Sequence, residues 1–401
     1  MRILHINSCN FGSTGNIMLQ LAQQARAAGH VVYTSCPDSR DNRKKEVEHQ
    51  IWIGNRLNRN IHRVLAYYTG LDGCFSAFAT RKFLNKIGRL KIDLIHFHNL
   101  HGSYLNMGML FRYIKKHNIR VIWTLHDCWS FTGHCPYFDM ASCAKWKTSC
   151  KECSQFRAYP ASAVDNANRM HKYKKKWFKG VHDLTIVTPS AWLAELTRQS
   201  FLQDYPVRVI HNGIDLSVFN PIVCDVRSKY GIEEKYLVLG VAFGWEDRKG
   251  LDVFLELERR LGKDYRIMLV GTDEQVDRLL PSNMISVHRT SNQIELAQLY
   301  TAADVFVNPT REDNFPTVNM ESLACGTPVI TFNTGGSPEM IDENSGTCID
   351  KDDIDATEKE IRRICTERPY THESCVRRAR NFDRMGRFNE YIRLYGKEDI
   401  C

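Results

Sequence analysis

Residues 308–339, NPTREDNFPTVNMESLACGTPVITFNTGGSPE, decide the fold of their half of the chain. An apolar run ends here in an acidic, Pro-containing loop, which is followed by a helix pattern carrying Glu321. A second apolar run at 329–332 leads to Gly335 and Gly336 and then to another predicted helix start. This alternation predicts parallel strands whose loops open on one edge of a sheet. Helix starts favour phosphate, and a nearby carboxylate can accept sugar hydroxyls.

Strand-like apolar runs recur along the whole chain, separated by helical patterns such as 16–28 and 108–117. They occupy residues 3–6, 31–34, 94–97, 121–125 and 184–189 in the first half, and 236–242, 265–270, 285–287, 305–308 and 329–332 in the second. Near-continuous apolar strands alternating with helices are typical of parallel sheets buried on both faces. We therefore expect an α/β protein with two Rossmann-like, doubly wound domains.

Composition indicates a globular protein with an anionic partner. Of 401 residues, 43% are hydrophobic and 25% are charged, and the formal net charge is +8. This charge does not separate a nucleotide from a lipid phosphate or a membrane surface. We expect no nucleic-acid partner, because the sequence contains no recognised nucleic-acid module. The first residues form a strand instead of a secretory signal, so we expect a cytoplasmic protein, in which the fourteen cysteines are reduced.

The 308–339 segment resembles the nucleotide-sugar site of retaining GT-B glycosyltransferases of the GT4 family, and the resemblance spans nearly the whole chain. In that family two glutamates flank seven residues, and Asp313 and Glu321 stand at this spacing. The first position is Asp instead of Glu, so its role is open between Asp313 and Glu312. The resemblance implies donor contacts from Gly15, Arg248, Gly271, Glu312, Asn314, Phe315, Pro316, Gly335, Gly336 and Glu339.

A second donor motif is FGWEDRKG, residues 243–250. Positive side chains here can neutralise a departing diphosphate. Lys249 matches the family's Lys-Gly pair, but the family's upstream Arg is absent. Arg248 is either its substitute or a solvated neighbour. Because no DXD-type metal centre is present, we expect catalysis without a metal cofactor.

Histidines follow two predicted strands of the first half, at 96–101 and 124–127. Ligands of open α/β sheets bind at the carboxyl ends of strands. His126 matches the family's histidine at the reaction centre, so the implied catalytic set is His126, Lys249, Glu321 and Asp313. His98, Asn99 and Asp127 are the implied acceptor contacts.

An insert, GHCPYFDMASCAKWKTSCKEC at 133–153, gathers four cysteines, Cys135, Cys143, Cys150 and Cys153. Four thiolates in one loop can enclose a tetrahedral zinc ion. The alternative is a packed loop with four unligated thiols. The insert is thus a candidate structural zinc site.

Residues 168–179, NRMHKYKKKWFK, interleave six Lys or Arg residues with Tyr173, Trp177 and Phe178. Such a stretch can lie on anionic lipid, with aromatic rings at the interface. It is equally typical of a solvated helix face. We expect peripheral membrane contact here, at the inner face of the cell membrane.

The resemblance implies an N-terminal acceptor domain (1–210), a nucleotide-sugar domain (211–370) facing it across a cleft, and a C-terminal segment (371–401) that returns to the first domain. The expected protein is a metal-independent, hexosyltransferase-type glycosyltransferase of cell-surface polysaccharide synthesis, using a UDP- or GDP-sugar and a glycan or lipid-linked acceptor. The alternatives are a GT-B-type sugar-nucleotide 2-epimerase and a non-catalytic sugar-nucleotide-binding protein.

Overall fold

A computed structural model describes residues 1–396, which divide into two compact units. Unit 1 comprises Met1–Ile210 and residues 388–396, and unit 2 comprises His211–Arg387. Each unit contains one parallel sheet, which confirms the expected fold class of two doubly wound domains. The predicted C-terminal segment 371–401 is divided differently from the expectation, since residues 371–387 belong to unit 2. Residues 397–401 of that segment lie outside the described residues.

Unit 1 contains seven strands and seven helices, the last of them shared with unit 2. The strands are β1 (Arg2–Ile6), β2 (Val31–Pro37), β3 (Gln50–Ile53), β4 (Leu94–Phe97), β5 (Arg120–Thr124), β6 (Leu184–Thr188) and β7 (Val207–Val209). The helices are α1 (Gly12–Ala27), α2 (Arg56–Thr69), α3 (Ala77–Leu90), α4 (Met107–His117), α5 (Ala167–Phe178), α6 (Ala191–Arg198) and α14 (Arg384–Gly396). The strand order is β3-β2-β1-β4-β5-β6-β7.

Unit 2 is built on a six-stranded sheet. Its strands are β8 (Tyr236–Val241), β9 (Tyr265–Val270), β10 (Ile285–Val287), β11 (Val305–Asn308), β12 (Val329–Phe332) and β13 (Gly346–Ile349). Its helices are α7 (Val226–Lys229), α8 (Leu251–Leu261), α9 (Glu274–Asp277), α10 (Gln293–Ala302), α11 (Thr317–Ala324), α12 (Ile354–Glu367) and α13 (His372–Ala379). The strand order is β10-β9-β8-β11-β12-β13.

The strand order of each sheet reverses at one point, between β1 and β4 in unit 1 and between β8 and β11 in unit 2. The loops that follow these strands diverge there, and open α/β sheets bind ligands in the resulting crevice. Residues 242–250 follow β8, and residues 309–316 follow β11. The motifs singled out from the sequence of unit 2 therefore meet at its switch point.

The basic stretch 168–179 folds as α5, and its aromatic side chains differ in exposure, with Tyr173 half-buried. Phe178 is fully buried, and Trp177 is half-buried with its ring against Gly108. Lys174 is also buried, and its Nζ donates to the carbonyl oxygens of Trp129 (2.7 Å) and Thr132 (3.1 Å). Burial lowers the pKa of Lys174 to about 7. The exposed part of α5 is basic, and Tyr173 and Trp177 are partly exposed beside it, so the membrane contact expected at 168–179 stays a prediction.

Candidate functional site

Two loops meet at the switch point of unit 2 through their side chains. Lys249 ends a 3-10 turn after β8, and Asp313 lies in the loop after β11. Lys249 Nζ and Asp313 Oδ2 form an ion pair 2.6 Å long, in which the two side chains are 18% and 20% exposed. The structure therefore places two residues, 64 positions apart in the chain, in the one site that the sequence predicted for both.

Two loops of unit 2, those after β9 and β12, each require a glycine because the backbone of another loop lies in contact with them. Gly335 has φ +55°, and a Cβ there would lie 1.7 Å from the carbonyl oxygen of Asp313. Gly271 has φ +87°, and its Cβ would lie 1.7 Å from the carbonyl oxygen of Ala242. No side chain fits at such distances, and positive φ also disfavours other residues. Loop-to-loop packing thus explains these two glycines without a ligand.

Further main-chain contacts hold the loop 309–316. Arg248 Nη1 donates to the carbonyl oxygen of Glu312 (2.9 Å), and the Gly336 N–H donates to that of Asn314 (3.0 Å). Glu312 and Asn314 are both buried. Arg248, predicted to be either a phosphate ligand or a solvated neighbour, therefore also supports the loop that carries Asp313.

Three further predicted donor contacts of unit 2, Phe315, Pro316 and Glu339, differ in their surroundings. The Phe315 ring is 4% exposed and stacks on His211, with centroids 4.9 Å apart, so its side chain belongs to the core. Pro316 is the buried cap residue of α11. Glu339 is half-buried in a single 3-10 turn, Ser337–Met340, where an α-helix start was expected.

Glu321 lies on the second turn of α11, close to a buried tyrosine. The Tyr300 hydroxyl donates to Glu321 Oε2 at 3.2 Å. Burial raises the pKa of Glu321 to about 7, although the hydrogen bonds from Tyr300 and Thr317 act in the opposite direction. A carboxyl group with this pKa is available near neutral pH both as an acceptor and as a donor to sugar hydroxyls. Tyr300 was missed by the sequence analysis, since a tyrosine in an apolar helix pattern gives no sign of its hydroxyl partner.

In unit 1, three histidines form a hydrogen-bonded relay behind the predicted reaction centre. His5 Nδ1 lies 3.2 Å from His98 Nε2, and His98 Nδ1 lies 3.0 Å from His126 Nε2. Burial lowers the pKa of His5 to about 3 and of His126 to about 4, and the pKa of His98 also lies well below its usual value. His98 is 1% exposed and supports His126, and it lines a small cavity together with Asn99, His126 and Asp127, so its role as an acceptor contact stays a prediction.

The hydrogen bonds of the relay are linked, because each neutral imidazole carries one N–H and each contact needs one donor. The tautomer of one histidine therefore determines the tautomers of the other two. Within the described chain, the buried Nε2 of His5 has no hydrogen-bond partner. An orphaned buried N–H is rarely tolerated, which favours the proton on His5 Nδ1. His98 then donates from Nδ1, and His126 accepts at Nε2 and carries its own proton on Nδ1.

Among residues 1–396, His5, His96 and His98 are the one group of potential metal ligands whose donor atoms lie within 4.8 Å of one another. Their geometry does not suit a metal ion. Both nitrogens of His96 are engaged, with Tyr395 Oη at 2.7 Å and Thr124 Oγ1 at 2.8 Å. The His96 and His98 rings are stacked at 4.5 Å and 19°, so their lone pairs do not converge on one point. The group is a hydrogen-bonded stack.

Asp127 and Asn99 also have partners within unit 1. Asp127 Oδ2 lies 2.9 Å from His101 Nε2. Burial by itself would raise the pKa of Asp127, but the nearby His101 and the Trp129 N–H lower it below the ordinary range. The Asn99 N–H donates to Asn7 Oδ1, and its side chain is half-buried. Asp127 is therefore part of a buried pair with His101, which the sequence analysis missed.

Gly15, the predicted donor contact of unit 1, is covered. Helix α1 begins at Gly12, four residues before the expected start, which places Gly15 in its first turn. A Cβ at Gly15 would lie 2.7 Å from the main chain of Asn10. Close packing of loop and helix explains this glycine, and the exposed part of the turn lies at Gly12 and Ser13.

The four cysteines of the insert line one small cavity of about 10 Å³. Burial raises the pKa of Cys135 to about 12 and of Cys150 to about 11, and Cys150 Sγ accepts the Gly133 N–H at 3.1 Å. Taken over residues 1–396, no three of these sulfurs lie within 4.8 Å of one another. The thiols therefore line one small cavity without forming a tetrahedral ligand set.

Two doubly wound units, with their site residues gathered at the switch points of parallel sheets, define the GT-B class of fold. Residues 14–218 match the family profile "Glycosyltransferase Family 4", and residues 225–382 match "Glycosyl transferases group 1". The chain belongs to glycosyltransferase family 4.

Similar proteins agree with this assignment. WcaC of Escherichia coli (strain K12), which carries the name of a colanic acid biosynthesis glycosyl transferase, is 26% identical over 65% of this chain. The match spans 65% of the length of WcaC. Sucrose-phosphate synthase from Thermosynechococcus elongatus has a TM-score of 0.70 and 19% identity over 99% of this chain and 98% of its own. HepE of Anabaena, in complex with UDP, has a TM-score of 0.70 and 14% identity over 99% and 100%. At these identities the two structures establish the fold.

Proposed function

We propose that the protein is a retaining glycosyltransferase that moves a sugar from a UDP- or GDP-sugar to a lipid-linked glycan acceptor in cell-surface polysaccharide synthesis. The observation that carries this proposal is the Lys249–Asp313 pair at the switch point of unit 2. An ammonium and a carboxylate held by two diverging loops provide one group for diphosphate and one for hydroxyls. Glu321 on α11 supplies a second carboxyl group.

The proposed reaction needs no protein nucleophile. The acceptor hydroxyl oxygen forms the new bond to the anomeric carbon, while the bond from that carbon to the diphosphate oxygen breaks. The hydroxyl proton passes to the leaving phosphate. Lys249 stabilises the charge that develops on the diphosphate, in place of a divalent metal ion. His126, whose Nε2 lies 3.0 Å from His98 Nδ1, is proposed to position the substrate at the reaction centre, and no step requires it to act as a base.

Partners are proposed from the names of related proteins. HepE of Anabaena binds UDP and UDP-glucose, which supports a nucleotide-sugar donor. WcaC is named for colanic acid biosynthesis, which supports a polysaccharide acceptor. We place the protein in the cytoplasm, at the inner face of the cell membrane, where lipid-linked acceptors are elongated. Among the helices of residues 1–396, none combines the length and apolar character needed to cross a bilayer.

Incubation with UDP- and GDP-sugars, with and without a lipid-linked acceptor, tests the proposal. A transferase releases nucleotide in step with acceptor consumption, and nuclear magnetic resonance of the product shows whether the anomeric configuration is retained. An epimerase changes the sugar without any acceptor. A non-catalytic protein binds the donor and leaves it intact. Turnover that requires added Mg²⁺ or Mn²⁺ would contradict the metal-independent mechanism.

We further propose that Cys135, Cys143, Cys150 and Cys153 hold one structural zinc ion. The shared cavity and the N–H donor to Cys150 Sγ support the proposal, while the sulfur spacing requires the loop to contract when metal binds. Zinc binding deprotonates thiols, which offsets the raised pKa values of Cys135 and Cys150. With four protein ligands the ion would not contact substrate.

Protein purified without chelator is expected to contain about one equivalent of zinc. Cys150→Ser should lower the melting temperature and impair acceptor use, with unchanged nucleotide affinity in unit 2. Cys348→Ser, at an exposed cysteine of unit 2, is the matched control. If elemental analysis finds neither zinc nor iron, the zinc proposal is wrong, and the insert is a packed loop with four unligated thiols.

A further inference from the structure

Helix α2 presents its apolar stripe to solvent instead of to the core. Only His62 and Ala66 of this fourteen-residue helix are buried. The outward residues recur at helical spacing and include Leu57 and Tyr68, which are 67% and 66% exposed. The complete stripe is Leu57, Ile61, Val64, Leu65 and Tyr68. In a globular protein a stripe of this width normally packs against the core, so an outward one indicates an unfilled binding surface.

The apolar stripe is flanked by positive charge. Arg56, Arg59 and Arg63 follow one another along one side of α2, and the helix contains no acidic residue. The same imbalance continues into α3. Between positions 54 and 91 the chain has eight Lys or Arg residues and a single carboxylate, that of Asp72. An apolar stripe bordered only by cations matches the headgroup and acyl regions of an anionic bilayer.

The start of α3 adds an exposed apolar side chain beside the first turn of α2. Phe78 is 83% exposed, which makes it one of the most exposed large apolar side chains of unit 1. It lines a groove of about 690 Å³ together with Lys82 and Lys86. A second groove of about 570 Å³ runs along α2 and is lined by Arg59 and Arg63. Cationic side chains in the first groove offer sites for lipid phosphates, and the more apolar second groove, which Val64 and Tyr68 of the stripe also line, can take their chains.

We propose that α2 and the start of α3 form a membrane-docking surface, defined by the α2 stripe, Phe78 and the flanking basic residues, which binds anionic phospholipid. The helix lies in the plane of the interface with its apolar stripe among the acyl chains. A second copy of this chain is the less suitable occupant, because a two-fold interface pairs the surface with itself and α2 has no carboxylate to pair with its arginines. The surface is distinct from α5, where the sequence predicted membrane contact.

Flotation with vesicles tests the proposal on the full-length protein. We expect binding to vesicles of equal parts phosphatidylglycerol and phosphatidylcholine, and weak binding to phosphatidylcholine alone. The triple variant Leu57→Ser/Ile61→Ser/Tyr68→Ser should reduce binding at least about tenfold, since three large apolar contacts are removed. Arg56→Gln/Arg59→Gln/Arg63→Gln should reduce binding and its sensitivity to salt.

The matched control is Val223→Ser/Leu279→Ser/Ile294→Ser, at apolar residues of unit 2 with similar or greater exposure. It should bind vesicles as the wild type does. Lys172→Gln/Lys175→Gln/Lys176→Gln on α5 separates simple charge attraction from docking by α2. If this variant loses more vesicle binding than the α2 variants do, the proposal is overturned. Full vesicle binding by the α2 serine variant would also overturn it, as would a dimer that this variant dissociates. Nucleotide affinity, which should stay unchanged in each variant, separates this test from that of the proposed transferase activity.

Discussion

Lys249→Ala should damage the site twice, once by removing a cation and once by releasing an anion. In the structure the Lys249 ammonium contacts the Asp313 carboxylate at 2.6 Å. The proposed leaving diphosphate uses the same ammonium. Without Lys249, the Asp313 carboxylate faces the diphosphate with no cation between them. The effects of changing the two residues should therefore not multiply.

The size of each effect follows from the geometry. Loss of a preorganised charge contact in the transition state costs about 3 kcal/mol, which corresponds to a loss of about 100-fold in turnover. Two charges at 4 Å and an effective dielectric constant near 20 interact by about 4 kcal/mol. Since both side chains remain partly hydrated, we discount the coupling to about 1–2 kcal/mol. Lys249→Ala/Asp313→Asn should thus be at least about fivefold more active than the product of the two single effects predicts.

The assay is acceptor-dependent nucleotide release, with nucleotide affinity measured separately by calorimetry. Lys351→Ala, at an exposed lysine of unit 2, is the control and should retain full activity. Asp313→Asn should reduce turnover more than Glu312→Gln, because Asp313 contacts the Lys249 ammonium that the proposed diphosphate uses. Near-normal transfer by Lys249→Ala with normal donor affinity would refute the donor-site assignment, and strictly multiplicative effects would refute the coupling.

Three further predictions concern titration and proton position. Because burial raises the pKa of Glu321 from 4.5 to about 7, the native state binds this proton more tightly than the unfolded chain does, so the free energy of unfolding should fall as the pH rises from 4.5 through 7. Glu321→Gln should remove that slope in denaturant titrations and lower turnover about 100-fold. His126→Ala should reduce transfer far more than nucleotide affinity, and equal losses in kinetics and calorimetry would contradict its placement. Nitrogen-15 resonances of labelled histidine should assign the His126 proton to Nδ1, and a proton on Nε2 would reverse the relay.

Sequence alone predicted much of the fold because its determinants are local. The runs at 94–97 and 329–332 are β4 and β12, and they are recognisable since strands buried on both faces are continuously apolar. The short edge strands β3, β7 and β13 were missed, because edge strands need fewer apolar residues. The positions of Lys249 and Asp313 were also predictable, since both follow strands that border the switch point.

The rest of the site depends on contacts that pattern analysis does not contain. His5 and His98 are 93 positions apart, and His5 resembles an ordinary strand residue until the sheet places β1 beside β4. The same holds for Glu321 and Tyr300, whose contact depends on how α10 packs on α11. At the glycines, the sequence pattern suggested a functional role where packing is a sufficient explanation. The pattern at Gly335 predicts a loop that binds a ligand, while the close backbone of Asp313 already requires glycine there.

Helix α2 shows a further limit of sequence-based prediction. The periodicity of its apolar residues indicates a helix, but it does not determine which face of the helix is buried. Leu57, Ile61 and Tyr68 recur at the spacing of one helix face, and the usual inference assigns such a face to the core. In the structure the buried face holds His62 and Ala66 instead. His62 can occupy it because its Nδ1 pairs with Ser76 Oγ at 2.8 Å and its Nε2 accepts the Gly73 N–H at 3.2 Å. Because the buried His62 has hydrogen-bond partners for both ring nitrogens, α2 can leave its apolar stripe exposed. This inverted orientation is the physical basis for expecting a membrane at the stripe.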